Sequence, residues 1–304
     1  MAVQDSGAGG FFALCKPPGI SSARALSVVR GVLGSRRAGF LGTLDPPAAG
    51  VLPVAMGEAT KLIPLLPRGD KEYVAELVLG LTTLTDDTSG PVTERHGAVG
   101  IREEQILSSL DSVASRPEQI PPHVSAKQLN GTRGYEAARR GSKLLDFAPE
   151  AVKVQYLRVL RMHQEQDLWH VHVRMSVTSG FYVRAFCRDV GLALGCGGCM
   201  GRLLRTQAYG YGIGQTMSLA RLRTCVESGD DSFLTWGIDN PSLLAGVPRV
   251  RLDGLGLAAF RHGVSVPAER VSGRFVLVLD GRGLPAGIAQ AVDGTLRPTR
   301  VLNT

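Results

Sequence analysis

The chain has 304 residues, 44% of them apolar, which is enough for a large core and predicts one large domain followed by a small one. No apolar run approaches the roughly 20 residues that a membrane helix needs, and the first apolar stretch is too short and has no basic residues before it, which argues against a secretion signal. The net charge of +7 favours a polyanionic partner such as RNA, and the cytoplasm is the expected location.

The N-terminal residues are predicted to form a strand and a capped helix. Residues 1–10 are polar and glycine-rich, which is typical of disorder, and residues 11–15 are an apolar run that predicts a strand. After a proline-rich turn, Ser21 or Ser22 can cap a helix that Gly34 ends. The apolar face of this helix is formed by Leu26, Val29, Val32 and Leu33. Arg36 and Arg37 follow, where they could contact a phosphate or simply be solvated.

Residues 39–53 form a loop of unusual composition around one carboxylate, Asp45. Three glycines permit backbone conformations that are closed to other residues, while Pro46 and Pro47 fix φ and favour an extended Asp45. The pattern predicts a rigid loop that presents an acid. The alternative is a plain surface turn, since Asp before Pro is common in turns.

The middle of the chain is predicted to alternate between strands and helices. Residues 73–79 have the alternation of a strand, whereas residues 80–90 are rich in Thr and Asp and predict a loop. A helix is predicted over residues 103–114, with Ile106, Leu110 and Val113 on its apolar face. The Gln119-Ile120-Pro121-Pro122 segment leads away from it toward a further helix at 135–140.

The clearest alternation lies at residues 168–177, where one face is apolar and the other carries His170, His172 and Arg174. The two histidines could suggest a metal pair. Strand alternation without a third ligand nearby favours the polar face of a sheet instead. Residues 178–184 then open a helix that runs to Gly195.

The last third of the chain is predicted to contain a helix, a linker and a small β-rich domain. The helix spans residues 218–227, and residues 229–248 show the low periodicity of a linker. Residues 249–304 contain short apolar runs, such as 275–279, separated by Gly and Asp turns. The large domain is therefore placed at 11–228 and the small one at 249–304.

The chain contains five cysteines, an odd number that argues against a disulfide framework. Cys196, Cys199 and the nearby Cys187 could form part of a metal site, but no second Cys pair or close His completes four ligands. These residues are therefore predicted to be reduced thiols beside a glycine-rich turn.

Several blocks of residues occur together in a recognisable order. They are Lys16-Pro17-Pro18-Gly19, the Gly42-Thr43-Leu44-Asp45-Pro46 loop, Gly57-Glu58-Ala59-Thr60-Lys61, Lys71-Glu72-Tyr73, a Gly-x-Tyr-x-Arg block at 180–184 and a Leu-x-Arg-Thr block at 203–206. In these blocks the chain resembles the TruB family of tRNA pseudouridine synthases, in its bacterial form. The resemblance continues to about residue 210 and more weakly to the C-terminus.

The resemblance implies an α+β fold, with a central, mostly antiparallel sheet flanked by helices and a small β-rich PUA-like RNA-binding domain at the C-terminus. It also implies that uridine 55 in the T-loop of tRNA is converted to pseudouridine. This isomerisation involves no net redox change, hydrolysis or added group, so neither a cofactor nor a metal is expected. The expected partner is the T-arm of tRNA, and the protein is expected to be a monomer that requires no protein partner.

The resemblance also assigns roles to residues. Asp45 corresponds to the family's nucleophile, and Arg184 to a guanidinium that pairs with it and keeps it ionised. Tyr73 corresponds to the aromatic residue that stacks on the target base and can take the proton from C5, although by itself it could be a core residue. Tyr182 would supply an ordered hydroxyl.

Five further residues are predicted to bind substrate. Lys16 and Lys61 could contact the Asp45 loop or a phosphate, or could be solvated turn lysines. Phe40 could stack on a base, while Leu203 and Arg205 match a stretch that walls the active site in the family.

The sequence departs from the family pattern at four places. Phe40 and Leu41 replace a histidine and a threonine, and Cys15 replaces the aspartate before Lys16. Leu84 replaces the aspartate of a threonine-aspartate-threonine loop, and Val124 replaces a tyrosine. All four lie outside the Asp45, Tyr73 and Arg184 set, so they bear on substrate affinity and base flipping more than on the chemistry.

Two other functions fit parts of this pattern. The missing histidine and the basic charge would suit a non-catalytic RNA-binding protein or tRNA-folding chaperone, which would bind tRNA in a salt-sensitive way without isomerising it. The catalytic subunit of a guide-RNA particle would share the fold. The intact catalytic set argues against the first, and the lack of a sequence signal for partner surfaces argues against the second.

Overall fold

The structure is a computed structural model that describes residues 9–67, 69–124, 128–129, 132–133, 147–234, 243–244, 246–268, 271 and 273–302. Several sequence predictions lie outside these residues, namely the first eight residues of the predicted disordered segment 1–10, the helix at 135–140 and the centre of the linker at 235–242. For Gly10 the prediction of disorder was wrong, because this residue is part of the first strand. Within the described part, no helix is both long enough and apolar enough to cross a membrane.

The described helices are α1 (Ser22–Leu33), α2 (Glu103–Ala114), α3 (Val183–Leu194), α4 (Leu219–Ser228) and α5 (Gly254–Arg261), and short 3-10 segments lie at Gly57–Leu65 and Ile213–Gln215. The strands are β1 (Gly10–Lys16), β2 (Ala38–Phe40), β3 (Ala49–Met56), β4 (Lys71–Leu79), β5 (Leu81–Thr83), β6 (Val92–Arg95), β7 (Glu118–Gln119), β8 (Gln128–Leu129), β9 (Thr132–Arg133), β10 (Glu150–Ala151), β11 (Val154–Glu165), β12 (Leu168–Val177), β13 (Gly198–Ala208), β14 (Tyr211–Gly212), β15 (Arg249–Arg251), β16 (Val266–Pro267), β17 (Gly273–Leu279), β18 (Pro285–Val292) and β19 (Thr295–Val301).

Most predicted elements within the described residues are confirmed. Helix α1 begins after Ser21, whose hydroxyl accepts a hydrogen bond from the Arg24 N–H at 3.1 Å, and ends at Gly34 in the left-handed conformation. Helix α2 has the predicted bounds, and α3 ends at Gly195 as predicted. The predicted alternation of β4 and β12 is present, with one face of each strand buried.

Two sequence interpretations were wrong or incomplete. Residues 80–90 were predicted to be a loop, but they include β5, which pairs antiparallel with β6. The 12-residue strand β11 was not predicted at all. It is an edge strand with Tyr156 and Leu160 exposed, so its sequence lacks the clean alternation of a half-buried strand.

The described chain divides into two compact units, one formed by residues up to 69 with residues from 207 onward, and the other by residues 70–206. We call these unit 1 and unit 2. The predicted functional division into a domain at 11–228, a linker at 229–248 and a domain at 249–304 stays a prediction, since compactness does not test it.

Unit 1 is built around β1, which is apolar on both faces. It pairs antiparallel with β3, as β2 also does. Because side chains alternate along a strand, Phe12 and Leu14 pack with α1 and with Leu222 of α4 on one side. Phe11 and Ala13 face a second cluster on the other side. The near-continuous apolar run of β1 follows from this two-sided burial.

The C-terminal sheet of unit 1 also uses both faces. Its strand order is β15-β17-β18-β19-β16, with β15 parallel to β17 and the other pairs antiparallel. Val276 and Val278 of β17 pack in a cluster with Phe260 of α5. Leu277 and Leu279 instead join the cluster that contains Phe11. The C-terminal sheet and the first strands of the chain therefore share one core.

Unit 2 contains a sheet with strand order β13-β4-β12-β11, in which β4, β12 and β11 are antiparallel neighbours. Tyr73 lies opposite Met175 in this register, and both side chains are buried. Helices α2 and α3 pack together, and the Ser109 hydroxyl donates a hydrogen bond to the Val190 carbonyl at 3.2 Å.

The other face of the unit 2 sheet is polar, as the alternation of β12 predicted. His170 Nδ1 lies 2.8 Å from Glu76 Oε1. The ring of His163 stacks on those of His170 and His172, with centroids 5.2 and 6.0 Å apart. Among the described residues, no group of three metal-ligating side chains is arranged to hold an ion.

This histidine cluster predicts a pH-dependent stability. Burial lowers the pKa of His172, and the nearby His163, Arg161 and His170 act in the same direction, although Glu76 opposes them. Since an unfolded histidine titrates near pH 6.5, the stabilisation is complete above about pH 6.5 and is lost as the pH falls through the lower folded value. Urea unfolding from about pH 7.5 to pH 5 should show a smaller acid loss in His172→Gln than in the wild type. An identical pH slope in both proteins would contradict this.

A second prediction concerns the contact between α3 and the turn before β13. A Cβ added at Gly191 would lie 2.2 Å from the backbone of Gly197 and Gly198, so the helix sits directly on that turn. Gly191→Ala should lower the free energy of unfolding by about 1–3 kcal/mol, the usual cost of overpacking.

Gly31→Ala is the matched control, because a Cβ at that exposed position of α1 meets nothing within 4 Å. It should stabilise the protein by about 0.4–1 kcal/mol. Equal changes in the free energy of unfolding for the two substitutions, measured by urea unfolding, would contradict the close packing of Gly191 against the turn.

Candidate active site

A buried lysine, Lys16, is hydrogen-bonded to the loop that carries Asp45. The Lys16 side chain is 0% exposed, and its ammonium donates to the carbonyls of Pro17 at 2.9 Å, Ile20 at 2.7 Å and Pro46 at 3.3 Å. The Gly19 N–H donates to the same Pro46 carbonyl at 2.8 Å. Lys16 therefore ties the turn at 17–20 to the residue directly after Asp45. A phosphate contact by Lys16 stays a prediction, and its burial does not favour it.

The residue directly before Asp45 is held by Ser22. The Ser22 hydroxyl, which is buried, lies 2.9 Å from both the N–H and the carbonyl of Leu44, accepting from the first and donating to the second. The sequence offered Ser21 and Ser22 as alternative helix caps. The structure gives them different tasks, since Ser21 caps α1 and Ser22 fixes the loop.

Asp45 itself begins a tight turn between β2 and β3. Its carbonyl accepts a hydrogen bond from the Ala48 N–H at 3.1 Å, and its side chain is half-buried. Gly42 and Gly50, on either side, have φ values of 67° and 110°, which favour glycine. The left-handed glycines agree with their predicted role in shaping this loop, whereas the rigidity of the loop stays a prediction.

Lys61 contacts a buried carboxylate in unit 1. Glu58 is 4% exposed, and its two oxygens accept from Lys61 Nζ at 2.6 Å and from Arg37 Nη1 at 3.0 Å. The Lys61 ammonium also donates to the Val301 carbonyl at the end of β19, at 3.0 Å. Lys61 thus links the segment after β3 to the C-terminal sheet, and its predicted RNA contact stays a prediction.

Phe40 ends β2, opposite Val54 of β3. Its ring is half-buried and packs against the cluster formed by β1, β3, α1 and α4. The exposed part of the ring is what a base could stack on. That role stays a prediction.

Arg184 lies in the first turn of α3 and is 6% exposed. Its Nη1 donates to the carbonyls of Thr85 at 2.9 Å and Val124 at 2.8 Å. Its Nε lies 3.9 Å from Asp87 Oδ2. The guanidinium is therefore fixed by two main-chain segments and one carboxylate.

Sequence reasoning missed Asp87. Its Oδ1 accepts from the Thr85 hydroxyl at 2.9 Å, the Ser89 N–H at 3.0 Å and the Ser89 hydroxyl at 2.5 Å. These bonds close a tight turn and leave Oδ2 toward Arg184. The neighbouring Asp86 has a φ of 58° and pairs with Arg188 at 3.3 Å, yet burial raises the pKa of Asp86. The signal was the Thr-rich and Asp-rich composition of 80–90, which indicated a loop but not its partners.

Tyr182 is the residue that precedes α3, and its side chain does not cap the helix. Its main chain is instead bound by a side chain from another segment. The Tyr182 N–H donates to Gln119 Oε1 at 2.8 Å, and Gln119 Nε2 donates to the Tyr182 carbonyl at 3.0 Å. Gln119, like Ser22 and Asp87, is a residue that the sequence analysis did not single out for the site.

Tyr73 and the Leu203-x-Arg205-Thr206 stretch lie on neighbouring strands, β4 and β13. Tyr73 is buried, Leu203 is half-buried and Arg205 is wholly buried. The Thr206 hydroxyl donates to Glu72 Oε1 at 2.6 Å, next to Tyr73 in the chain. These predicted residues therefore come together within unit 2.

Two of the departures from the family pattern, Leu84 and Val124, leave the contacts of Asp87 and Arg184 unchanged. Leu84 is exposed, whereas Thr83 and Thr85 on either side bond to Asp87. Val124 contacts Arg184 through its carbonyl, which any residue type provides. The altered side chains at these two positions are not the groups that make the bonds.

The cysteines beside the glycine-rich turn are buried free thiols. Burial raises the pKa of Cys199 to about 12 and raises that of Cys187 as well. The thiolate, which is the form that binds metals and attacks as a nucleophile, is thus disfavoured at both positions.

The predicted site residues fall in both units. Asp45, Lys16, Phe40 and Lys61 belong to unit 1, and Tyr73, Tyr182, Arg184, Leu203 and Arg205 belong to unit 2. Their catalytic and binding roles stay predictions, as does the pairing of Asp45 with Arg184.

The family model described as "TruB family pseudouridylate synthase (N terminal domain)" matches residues 30–183. A protein named tRNA pseudouridine synthase B from Synechococcus sp. (strain WH7803) is 40% identical over 210 residues, which cover 69% of each chain. The protein of the same name from Gloeobacter violaceus (strain ATCC 29082 / PCC 7421) is 35% identical over 298 residues, covering 97% of this chain and 99% of its own.

Two solved structures have a similar fold. One is a chain of an H/ACA RNP bound to a substrate RNA containing 2'-deoxyuridine, with a TM-score of 0.65 and 21% identity, covering 96% of this chain and 84% of that chain. The other is a chain of a Cbf5-Nop10-Gar1 complex, with a TM-score of 0.64 and 23% identity, covering 96% and 83%. They confirm the predicted α+β class, a mostly antiparallel sheet with flanking helices and a PUA-like C-terminal part.

The buried ammonium of Lys16 generates a prediction about stability. Lys16→Met keeps the apolar stem but leaves the carbonyls of Pro17, Ile20 and Pro46 without this donor. The free energy of unfolding should fall by about 1–3 kcal/mol, the cost of unsatisfied buried groups. Lys153→Met makes the same chemical change at an exposed position and should stay within about 0.5 kcal/mol of the wild type. Equal urea midpoints for Lys16→Met and the wild type would contradict the assignment.

Proposed function

Because the chain belongs to the TruB family of pseudouridylate synthases, we propose that it converts uridine 55 in the T-loop of tRNA to pseudouridine. Family membership makes the chain an RNA-modifying isomerase. The relatives named tRNA pseudouridine synthase B support tRNA as its substrate. The observation that carries the proposed mechanism is Asp45, on a loop pinned on both sides by buried groups.

The reaction rearranges a single nucleotide. The bond from C1′ of the ribose to N1 of the base breaks, the base rotates, and C5 bonds to C1′. The proton on C5 leaves and N1 takes up a proton, so atoms balance without any other reactant. Such a reaction needs a carboxylate that can act at the sugar or at the base, and Asp45 is proposed to be that nucleophile.

The fixed loop supports this role for Asp45. A nucleophile reacts faster when its position is fixed before the substrate binds, because the entropy cost of orienting it has already been met during folding. Lys16 and Ser22 hold the residues on either side of Asp45 through main-chain bonds. These contacts fix the main chain on either side of the carboxylate that is proposed to attack the ribose.

Three residues of unit 2 are proposed to complete the chemistry. Tyr73 stacks on the target base and takes the C5 proton, and Tyr182 offers its hydroxyl at the site. Arg184 pairs with Asp45 and keeps it ionised. Support for Arg184 comes from its burial and its main-chain bonds, which fix the guanidinium so that little freedom is lost on pairing.

A uridine in a folded RNA loop must be flipped out before Asp45 can reach it, at a cost of a few kcal/mol. Phe40 is proposed to stack on a loop base, and Lys61, Leu203 and Arg205 to line the substrate path, with Lys16 acting through the loop. The T-arm would be recognised by its folded shape and its loop nucleotides. The net charge of +7 supports binding to a polyanion.

The proposal also covers the oligomeric state of the protein and its location in the cell. The chemistry requires one polypeptide and one RNA, so the protein is proposed to act as a monomer that needs no protein partner. It is proposed to work in the cytoplasm, where its tRNA substrate is found.

Replacing Asp45 by Asn tests the function and the nucleophile together. The assay is tritium release from C5-labelled uridine in a T-arm stem-loop. The wild type should release tritium, while Asp45→Asn should be slower by about a thousandfold or more, as when other enzymes lose a nucleophile. The Kd for the stem-loop should change by less than about threefold, since the amide keeps the shape of the carboxylate.

Asp111→Asn makes the same change on the exposed face of α2 and should release tritium at the wild-type rate. Retained turnover in Asp45→Asn would show that the nucleophile is misassigned. Bound RNA without release by the wild type would instead favour the non-catalytic RNA-binding protein.

A further inference from the structure

Gln119 forms a two-point contact with the main chain of Tyr182 in the candidate site. Its side chain is 6% exposed, so both of its polar atoms must find partners within the protein. Its Oε1 accepts from the Tyr182 N–H at 2.8 Å and its Nε2 donates to the Tyr182 carbonyl at 3.0 Å. The carboxamide thus pairs with Tyr182 as a neighbouring strand would.

This contact falls where α3 begins. Tyr182 has φ −110° and ψ 111°, an extended conformation, and its side chain makes no capping bond. The Phe186 N–H donates to the Tyr182 carbonyl at 3.1 Å, which starts the helical pattern. The direction of Tyr182 therefore depends on a residue outside its own helix, and Arg184 follows only two residues later.

Gln119 is itself well anchored. It pairs with Glu150 through the short ladder of β7 and β10. Directly after it, the Ile120 carbonyl accepts from Arg188 Nη2 at 2.9 Å, and the Val124 carbonyl accepts from Arg184 Nη1 at 2.8 Å. Residues 119–124 therefore run along the first two turns of α3 and are bound to it at three points.

We propose that Gln119 is a positioning residue for the isomerisation, which fixes the main chain of Tyr182 on both sides of its Cα and through it the directions of the Tyr182 and Arg184 side chains. This inference rests on the proposed function of those two residues. Gln119 touches neither substrate nor reacting atoms, and it acts through the start of α3.

The chemistry of the contact makes the role testable. A carboxamide offers one donor and one acceptor side by side, and a neutral carboxylic acid offers the same pair. An ionised carboxylate has acceptors only, so it would repel the Tyr182 carbonyl. Since burial disfavours the charged form, a glutamate at this position should become neutral at a higher pH than an exposed one.

The experiment compares Gln119→Glu, Gln119→Met and the wild type by single-turnover tritium release across pH. At about pH 8, Gln119→Glu should be slower than the wild type by about 10- to 100-fold, the loss expected when a site group is misplaced by up to about 1 Å. The ratio of its rate to that of the wild type should rise as the pH falls, because the neutral acid restores both bonds. Gln119→Met should be slow at every pH, and the Kd for the stem-loop should stay within about threefold in both variants.

Ser109→Ala is the matched control. It removes a buried bond from a side chain to the same helix, at Val190, about two turns from Tyr182. It should lower stability while leaving the turnover rate within about twofold. Urea unfolding of each variant identifies the pH range in which it is folded, and rates are compared within that range. If Gln119→Glu is folded only at acid pH, the two variants are compared in that range, and a faster tritium release by Gln119→Glu than by Gln119→Met supports the inference.

A flat pH ratio for Gln119→Glu would overturn the inference, as would a wild-type rate in Gln119→Met. An equal rate loss in Ser109→Ala would also overturn it, because any weakened contact to α3 would then have the same effect. If the wild type releases tritium and the Gln119 variants are unaffected, only this inference fails. If the wild type itself is inactive, the proposed function fails and the inference fails with it.

Discussion

A buried ammonium must have its donors satisfied inside the protein, and this requirement at Lys16 shapes the candidate site. The charge lies at the end of β1, between a turn and the Asp45 loop, and three carbonyls compensate for its lost hydration. The loop cannot move away from β1 without leaving a charge partly unpaired in the interior, which is strongly unfavourable. The position of Asp45 is thereby coupled to the core of unit 1.

Unit 2 holds the buried cation of Arg184 in a similar way. Arg184 is bound mainly by the carbonyls of Thr85 and Val124, with Asp87 at a longer distance. Main-chain acceptors keep their positions when side chains change, which explains how Val124 and Leu84 can differ from the family pattern without altering these bonds. Backbone shape, rather than side-chain identity, preserves this part of the site. The substitution at Phe40 is different, because there the proposed contact with RNA is made by the side chain itself.

The sequence predicted those parts of the fold that depend on local periodicity and caps. Helix α1 between Ser21 and Gly34 and strand β12 are examples, since their patterns and end signals lie within each segment. Strand β11 escaped prediction because an edge strand has no consistently buried face. In the site, motif spacing singled out Asp45, Tyr73 and Arg184, but not Ser22, Asp87 or Gln119. These three residues bond to segments 22 to 97 positions away in the chain, and no local pattern encodes such contacts.

The shared core of unit 1 bears on how this protein could have acquired its C-terminal sheet. Leu277 and Leu279 of β17 pack in the same cluster as Phe11 of β1, and Val301 is bonded to Lys61. A module that can be exchanged between genes usually carries its own closed core and meets its neighbour through a polar surface. Here the two ends of the polypeptide complete each other's interior. Recombination that replaced the C-terminal sheet would need matching changes in the first strands, so the two ends are expected to be inherited together.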